Sequence, residues 1–440
     1  MSAPAANQGY DVLVIGAGPA GAVAAGLLAM AGHRVLVLEK DRFPRFHIGE
    51  SLLPAGLPVL ERLGIEPRGD TFIYKSGAEF VCEDTGRKGV FMFRESLPGC
   101  APHAWHVDRA KFDKALRDRA EQLGAEIRHE TVIDAGVVDV GGVDVGSSVG
   151  HAFVKTRKQT FTGRYLIDAS GQSRLLARRA GTSEPYDRFG HSSAFTHYEG
   201  LGDAAIEELD PNRNNIRIML RPEGWGWIIP LPDRCLSVGM VSRGKMTPAE
   251  LDAGLLEGPM VRRLTQGARR LDTHVVGNFS YRNTAPSGSR FTAVGDAACF
   301  LDPVFSSGVT LALRGAEAIA DLLGPALANS TEAAPDLLVT HNEGMDRAYR
   351  TFAGLIDRFY HTNFAETMFL GDTSDQPMRR GVMSVLAGDV WRTGNDFQDM
   401  LLAARRTDNR ARAGNGARAG KHVESKRADT GNANGPHDEN

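Results

Sequence analysis

At 440 residues, 42% hydrophobic and 24% charged, the chain suits one large or two interleaved domains of ordinary globular composition. Its formal net charge of -3 argues against nucleic acid as the main partner, because phosphate binding needs a basic surface. Cys82, Cys100, Cys235 and Cys299 stand far apart, with no CxxC pair and no ligand spacing around histidine, which excludes the common zinc and redox signatures and leaves no metal expected.

The opening residues MSAPAANQGYD lack a basic segment followed by a long apolar one, so no signal peptide is expected. The longest apolar stretch, PAGAVAAGLLAMA, falls short of the roughly 20 residues that span a bilayer. A cytoplasmic protein without membrane contact is the expectation.

In chain order, YDVLVIGAGPAGAVAAGLLAMAGHRVLVLEK reads as a βαβ unit: strand, glycine turn, small-residue helix, strand. The stretch DRAKFDKALRDRAEQL predicts a helix from Asp108 to about Leu123, with Phe112, Leu116 and Leu123 on its apolar face. Strand patterns follow in GAEIRHETVIDAGVVDV, HAFVKTR and RYLIDAS. The echo VDVGGVDVG at 138–146 predicts a hairpin turning on Gly141 and Gly142. Short extended runs, NNIRIMLR, GWGWIIPL and CLSVGMVS, predict a mixed sheet over a cavity within 190–285. The segment RFTAVGDAACFLDPVFSSGVTLALRGAEAIADLL returns to strand, loop and helix, and two or three helices are expected within 335–405. The remaining tail has almost no apolar residue and reads as disordered.

The predicted fold is α/β: a Rossmann-like FAD-binding domain interleaved with a mixed-sheet substrate domain, plus C-terminal helices. The expected boundaries are 1–333 for the FAD-binding domain, with substrate-domain segments at about 70–105 and 190–285. A helical region at 334–405 and the tail at 406–440 complete the division.

Gly16, Gly18 and Gly21 form GxGxxG between a strand and a helix, with Ala20 inside the motif. The first glycine permits the tight turn, the second lets a pyrophosphate approach the backbone, and the third lets helix and strand pack closely. The helix start then offers free N–H groups and a positive dipole end to the anion. Glu39, followed by Lys40, ends the next strand where an acidic side chain can bind a ribose hydroxyl.

Two later segments, YLIDASGQSR and TAVGDAACFLDP, each place an aspartate just after a strand, near glycine. Here the chain resembles the FAD-binding monooxygenase superfamily. The resemblance implies that Asp296 meets the ribityl and pyrophosphate region of FAD. It also implies that Asp168 and Gly171 belong to a largely structural middle motif, and that Arg109 in HVDRAKFD reaches the cofactor. A solvated arginine at a helix start is the simpler reading of Arg109.

Within that superfamily the chain resembles the flavin-dependent halogenases up to about residue 405. The residues that carry it are PRFHIGESLLP, YKSGAEF, WGWIIP and DPVFSSGV, of which the tryptophan motif is the most specific. In such enzymes FADH2 from a separate flavin reductase, with oxygen and chloride or bromide, yields hypohalous acid that one lysine accepts or orients. Lys75 matches that lysine, although an isolated lysine is more often a surface residue. Its flanks, FIY and GAEF, predict a strand end facing the interior, where a lysine is costly unless paired or used.

Glu50, Ser51, Gly308 and Val309 match positions around the flavin, and the N–H groups of Ser307 and Gly308 can face a halide at a helix start. Ser306 or Ser307 also fits a simple N-cap. The family resemblance implies that Trp225, Trp227 and Phe305 wall the active site, although core packing alone predicts the tryptophans on one strand face.

Tryptophan halogenases carry a glutamate where this chain has Phe305. KSGAEF, HVDRAKFDKAL, FSSGV and LAGDVW look closer to halogenases of pyrrole or phenol rings tethered to acyl or peptidyl carrier proteins. The FAD motifs and GESLLP alone would permit a flavin hydroxylase or a geranylgeranyl-reductase-like enzyme, or a protein that only binds FAD.

Overall fold

The computed structural model describes residues 9–138, 150–186, 189, 191–209, 214–222, 224–242, 246–277, 279–371 and 376–403. The chain begins with β1 (Tyr10–Ile15), α1 (Pro19–Met30) and β2 (Val35–Glu39), the expected βαβ unit. Alanine and glycine dominate α1, and nine of its twelve residues are buried. Small side chains let neighbouring helices close on it from several sides.

The chain then crosses through β3 (Phe72–Lys75), β4 (Gly77–Cys82), β5 (Arg87–Met92) and β6 (Ala104–Val107) into α2 (Arg109–Gln122). Asp108 caps α2 by accepting the N–H groups of Ala110 and Lys111, and Phe112 and Leu116 are buried as the periodicity requires. Next come β7 (Glu126–His129), β8 (Val132–Val138), β9 (His151–Thr156) and β10 (Thr160–Asp168). The antiparallel ladder of β8 and β9 closes on the pair Val138 and His151. The hairpin expected at 138–146 lies, beyond Val138, outside the described residues.

Four central strands follow: β11 (Ser192–Glu199), β12 (Ile216–Arg221), β13 (Gly224–Leu231) and β14 (Cys235–Ser242). After β15 (His274–Gly277) and β16 (Phe291–Ala293) the chain turns helical, in α3 (Ser307–Ala328), α4 (Val339–His361) and α5 (Gln376–Leu386). A further helix covers 396–403.

The first sheet has a parallel core in the order β16-β10-β1-β2-β7, with Val14 opposite both Ile167 and Val37, and β9 joins β10 antiparallel. The second runs β11-β14-β13-β12-β4-β5, with β15 on the outer side of β11, and only the β12–β4 pair is parallel. Every residue of β13 is buried. Trp225, Trp227, Ile229 and Leu231 enter the core shared with α4 and α5, while Ile228 joins the opposite core of Leu236 and Met240. Strand alternation thus drives one apolar run into two cores. Among the described residues no helix is long and apolar enough to cross a membrane.

Candidate functional site

A cavity of about 780 Å³ lies where the first sheet, the second sheet and the start of α3 meet. Its nucleotide end is made by the turn after β1. Gly16 has φ of +95°, and a Cβ there would stand 2.4 Å from the Ala169 carbonyl oxygen. A Cβ on Gly21 would stand 2.0 Å from the Gly16 carbonyl oxygen, so this glycine serves helix packing and does not itself line the cavity. Around Gly18 the space is open except for the Arg45 guanidinium, which leaves its backbone free to meet a phosphate. Gly18 occupies the N-cap of α1 without a side-chain cap, so first-turn N–H groups face outward.

Glu39 is buried at the end of β2 and accepts the Ala17 N–H at 2.7 Å and the Asp41 N–H at 2.8 Å. Both Glu39 and Lys40 line the cavity, as does Ala20. Asp168 is fully buried and holds the middle turn by accepting the N–H groups of Ser170 and Leu176. That arrangement is structural, while Gly171 reaches the cavity.

Arg109 is buried, against the simpler reading of a solvated helix start. Its guanidinium pairs with Asp113 through Nε at 2.8 Å and Nη2 at 3.1 Å, and Nη1 donates to the Ile48 and Gly49 carbonyls. It thereby pins the loop carrying PRFHIGE against α2. Asp296 lines the same space, and burial pushes its carboxyl up to about 6, with Arg109 acting the other way. Arg45, near Gly18 and 3.3 Å from Asp113, is a lining residue that sequence motifs did not single out, although it stands inside a quoted one.

Glu50 and Ser51 line the middle of the cavity. Glu50 Oε1 lies 2.5 Å from His197 Nε2 on β11. Burial opposes the imidazolium, but the hydrogen bond and charge of Glu50 outweigh it and raise the His197 pKa. His197 lies 147 residues away in the chain, so no local pattern could have announced it.

At the other end, Asp302 accepts the Val304 N–H at 3.0 Å and caps a tight turn over Pro303–Phe305. Ser306 then adopts the left-handed conformation, φ 55°, and α3 begins at Ser307. Ser306 makes no side-chain cap bond, so capping does not account for the serine pair. Ser307, Gly308 and Val309 all line the cavity, and nothing lies within 4 Å of a Cβ built on Gly308. A helix start with uncapped N–H groups beside open space can hold a small anion.

Trp225 and Trp227 line the cavity side by side, with ring centroids 5.7 Å apart. Their N–H groups are satisfied, by Tyr360 Oη at 2.7 Å and Ser237 Oγ at 3.2 Å. Trp227 lies across Gly239 on the adjacent strand, where a Cβ would meet its ring at 2.0 Å. Phe305, expected in this wall, does not line the cavity. It packs instead among Phe359 and Phe369, because the turn at Pro303–Phe305 directs it toward the helical region.

Lys75 is buried at the end of β3 and also does not line the cavity. Its Nζ donates to the Leu52 carbonyl at 2.9 Å and lies 5.0 Å from the Phe93 ring centroid. Burial alone lowers its pKa from 10.5 to about 7, so a substantial fraction of the amine is unprotonated near neutrality. The segment Glu50–Leu52 therefore stands between cavity and lysine, with Glu50 and Ser51 on one side and the Leu52 carbonyl on the other.

The tryptophan halogenase family model matches residues 11–101 and 94–399, almost the whole described chain. The chain belongs to the flavin-dependent halogenase family. It is 30% identical over 415 residues to a 1H-pyrrole-2-carbonyl-(peptidyl-carrier protein) chlorinase of Pseudomonas fluorescens, covering 88% of this chain and 90% of that one. Among solved structures, a flavoprotein/dehydrogenase from Cytophaga hutchinsonii superposes with TM-score 0.78 at 28% identity, covering 90% and 96% of the two chains. The flavin-dependent brominase Bmp2 superposes with TM-score 0.77 at 26% identity, over 92% and 100%. As a halogenase the protein is an oxidoreductase, and its glycine turn, Glu39 and the uncapped start of α1 fit the FAD on which the family depends.

Proposed function

We propose that this halogenase chlorinates or brominates an electron-rich ring, pyrrole or phenol, carried on a carrier protein, and that Lys75 receives the hypohalous acid. The observation that carries the reading is a fully buried lysine, held by one carbonyl and separated by a single segment from a cavity fit for FAD. Reduced FAD from a separate flavin reductase would, together with oxygen, supply the oxidant that turns halide into hypohalous acid.

The chain's own residues bind, orient and separate. Gly16, Gly18 and the start of α1 would hold the pyrophosphate, Glu39 the ribose, and Arg109 and Asp296 the central part of FAD. Ser307 and Gly308 would present N–H groups to the halide. Trp225 and Trp227 would keep the ring from the flavin, leaving passage of a small oxidant as the route to Lys75. There an unprotonated amine can take the halogen to give N–Cl and water, or orient the acid through a hydrogen bond.

Phe305 in place of the glutamate of tryptophan halogenases disfavours free tryptophan as substrate. The carrier-bound chlorinase among the relatives favours a tethered ring. Intact-mass analysis of carrier-bound and free rings, with reduced FAD, oxygen and each halide, should show halogen in place of hydrogen. Lys75→Ala should bind FAD and yield no halogenated product, so product from that variant sinks the role of the lysine. Hydroxylated or reduced product from the wild type would shift the reading to a flavin hydroxylase or reductase.

A further inference from the structure

The tryptophan motif and the loop DPVFSSGV are joined through a residue that neither contains. The Trp225 Nε1–H donates to Tyr360 Oη at 2.7 Å, and the Tyr360 hydroxyl donates to Asp302 Oδ2 at 2.9 Å. The second Asp302 oxygen accepts the Val304 N–H, fixing the turn that leads through Ser306 into α3. An indole N–H only donates, so the hydroxyl accepts from Trp225 and turns its own proton to Asp302. Burial pushes the Asp302 carboxyl up to about 7, while the Val304 and Tyr360 hydrogen bonds act the other way. All three side chains are buried. The Tyr360 ring is held laterally by His191, 4.2 Å away between centroids, and by Phe359 at 5.4 Å.

We propose that Tyr360 is a positioning residue: from the end of α4 it bonds Trp225 and Asp302 at once, and so sets the tryptophan wall relative to the anion loop. The proposal rests on the reading of Ser307 and Gly308 as the halide site. Removing the hydroxyl leaves a buried N–H and a buried carboxylate oxygen each short of a partner. The loop is then no longer referenced to the wall. An anion held by backbone N–H groups depends on their convergence, so halide affinity suffers first and ring binding little.

The test uses Tyr360→Phe in the full chain. Four tryptophans give four indole N–H resonances in the 15N-labelled protein, and Trp225→Phe assigns the one that matters. In Tyr360→Phe that resonance should move upfield while the other three hold. The KM for chloride should rise about tenfold while the KM for the ring stays within about twofold. Combining Trp225→Phe with Tyr360→Phe should cost no more chloride affinity than the worse single variant, because one shared interaction is removed once.

An unmoved resonance, an unchanged chloride KM beside a moved one, or additive effects in the double variant would each overturn the proposal. If Tyr360→Phe fails to fold, Asp302→Asn weakens the acceptor and should move the same resonance to a smaller extent. The indole measurement needs neither cofactor nor turnover, so the two readings fail separately. An unmoved resonance sinks the network, whereas a moved one with no halogenation under any halide sinks the functional reading.

Discussion

In the nucleotide cradle the fit is made by backbone: Gly16 and Gly21 let main chains touch, and Glu39 ties the turn by accepting the Ala17 and Asp41 N–H groups. Around Lys75 and the tryptophan pair it is made by buried side chains, satisfied by the Leu52 carbonyl, Tyr360 and Ser237. At Gly16 and Gly21 the first kind of site has no room for an added atom, while the second depends on which buried polar groups find partners. Backbone sites recur as local motifs, whereas side-chain sites depend on what the fold brings together.

The sharpest way to break this contrast is Gly21→Ala. Its Cβ would lie 2.0 Å from the Gly16 carbonyl, and neither neighbour is a flexible side chain. A loss of about 3 kcal/mol or more is expected, with FAD binding lost alongside, as read by denaturant melts and flavin titration. A protein of unchanged stability would mean that the turn can relax, and that backbone contact is not what governs the cradle.

Lys75→Met probes the other side. Burial lowers the Lys75 amine to about 7 from 10.5, so between those values the unfolded chain binds more protons than the folded one, and stability rises with pH. The cost of the buried amine is full below about pH 7 and gone above about 10.5. Methionine should therefore stabilise the protein by about 2–4 kcal/mol at pH 6, and the gain should shrink toward pH 10. In the wild type, halogen incorporation should rise through about pH 7 as the amine loses its proton. A falling profile would assign the ammonium form, acting as a hydrogen-bond donor, instead.

Gly239→Ala is the mildest of the three and joins both kinds of site, since a backbone glycine here serves a side-chain wall. The new Cβ meets the Trp227 ring at 2.0 Å, so the ring must shift at a cost of about 1–3 kcal/mol. FAD should still bind, while more oxidant escapes to a trapping dye per product formed. Unchanged escape would mean that Trp227 does not separate the compartments.

The contrast also explains what can be read before folding. Gly16, Gly18, Gly21 and Glu39 lie within one βαβ unit, so their spacing carries their geometry. Trp225 and Trp227 show a shared face by alternation, and the burial of Lys75 is legible in its apolar flanks. Tyr360 and His197 were invisible because their partners are 135 and 147 residues away, and nothing in a local pattern selects one tyrosine or one histidine. Phe305 misled for a related reason: its place in the loop was right, but a tight turn decides which way a ring points.

One short segment carries an obligation for anyone redesigning the protein. Glu50 and Ser51 form the rim of one chamber, and the next carbonyl, that of Leu52, anchors the amine on the far side. The rim and the anchor are consecutive peptides, so they cannot be exchanged piecemeal. A chimera that imports a new ring chamber must carry residues 50–52 and β3 as one cassette, or the lysine will arrive without its seat.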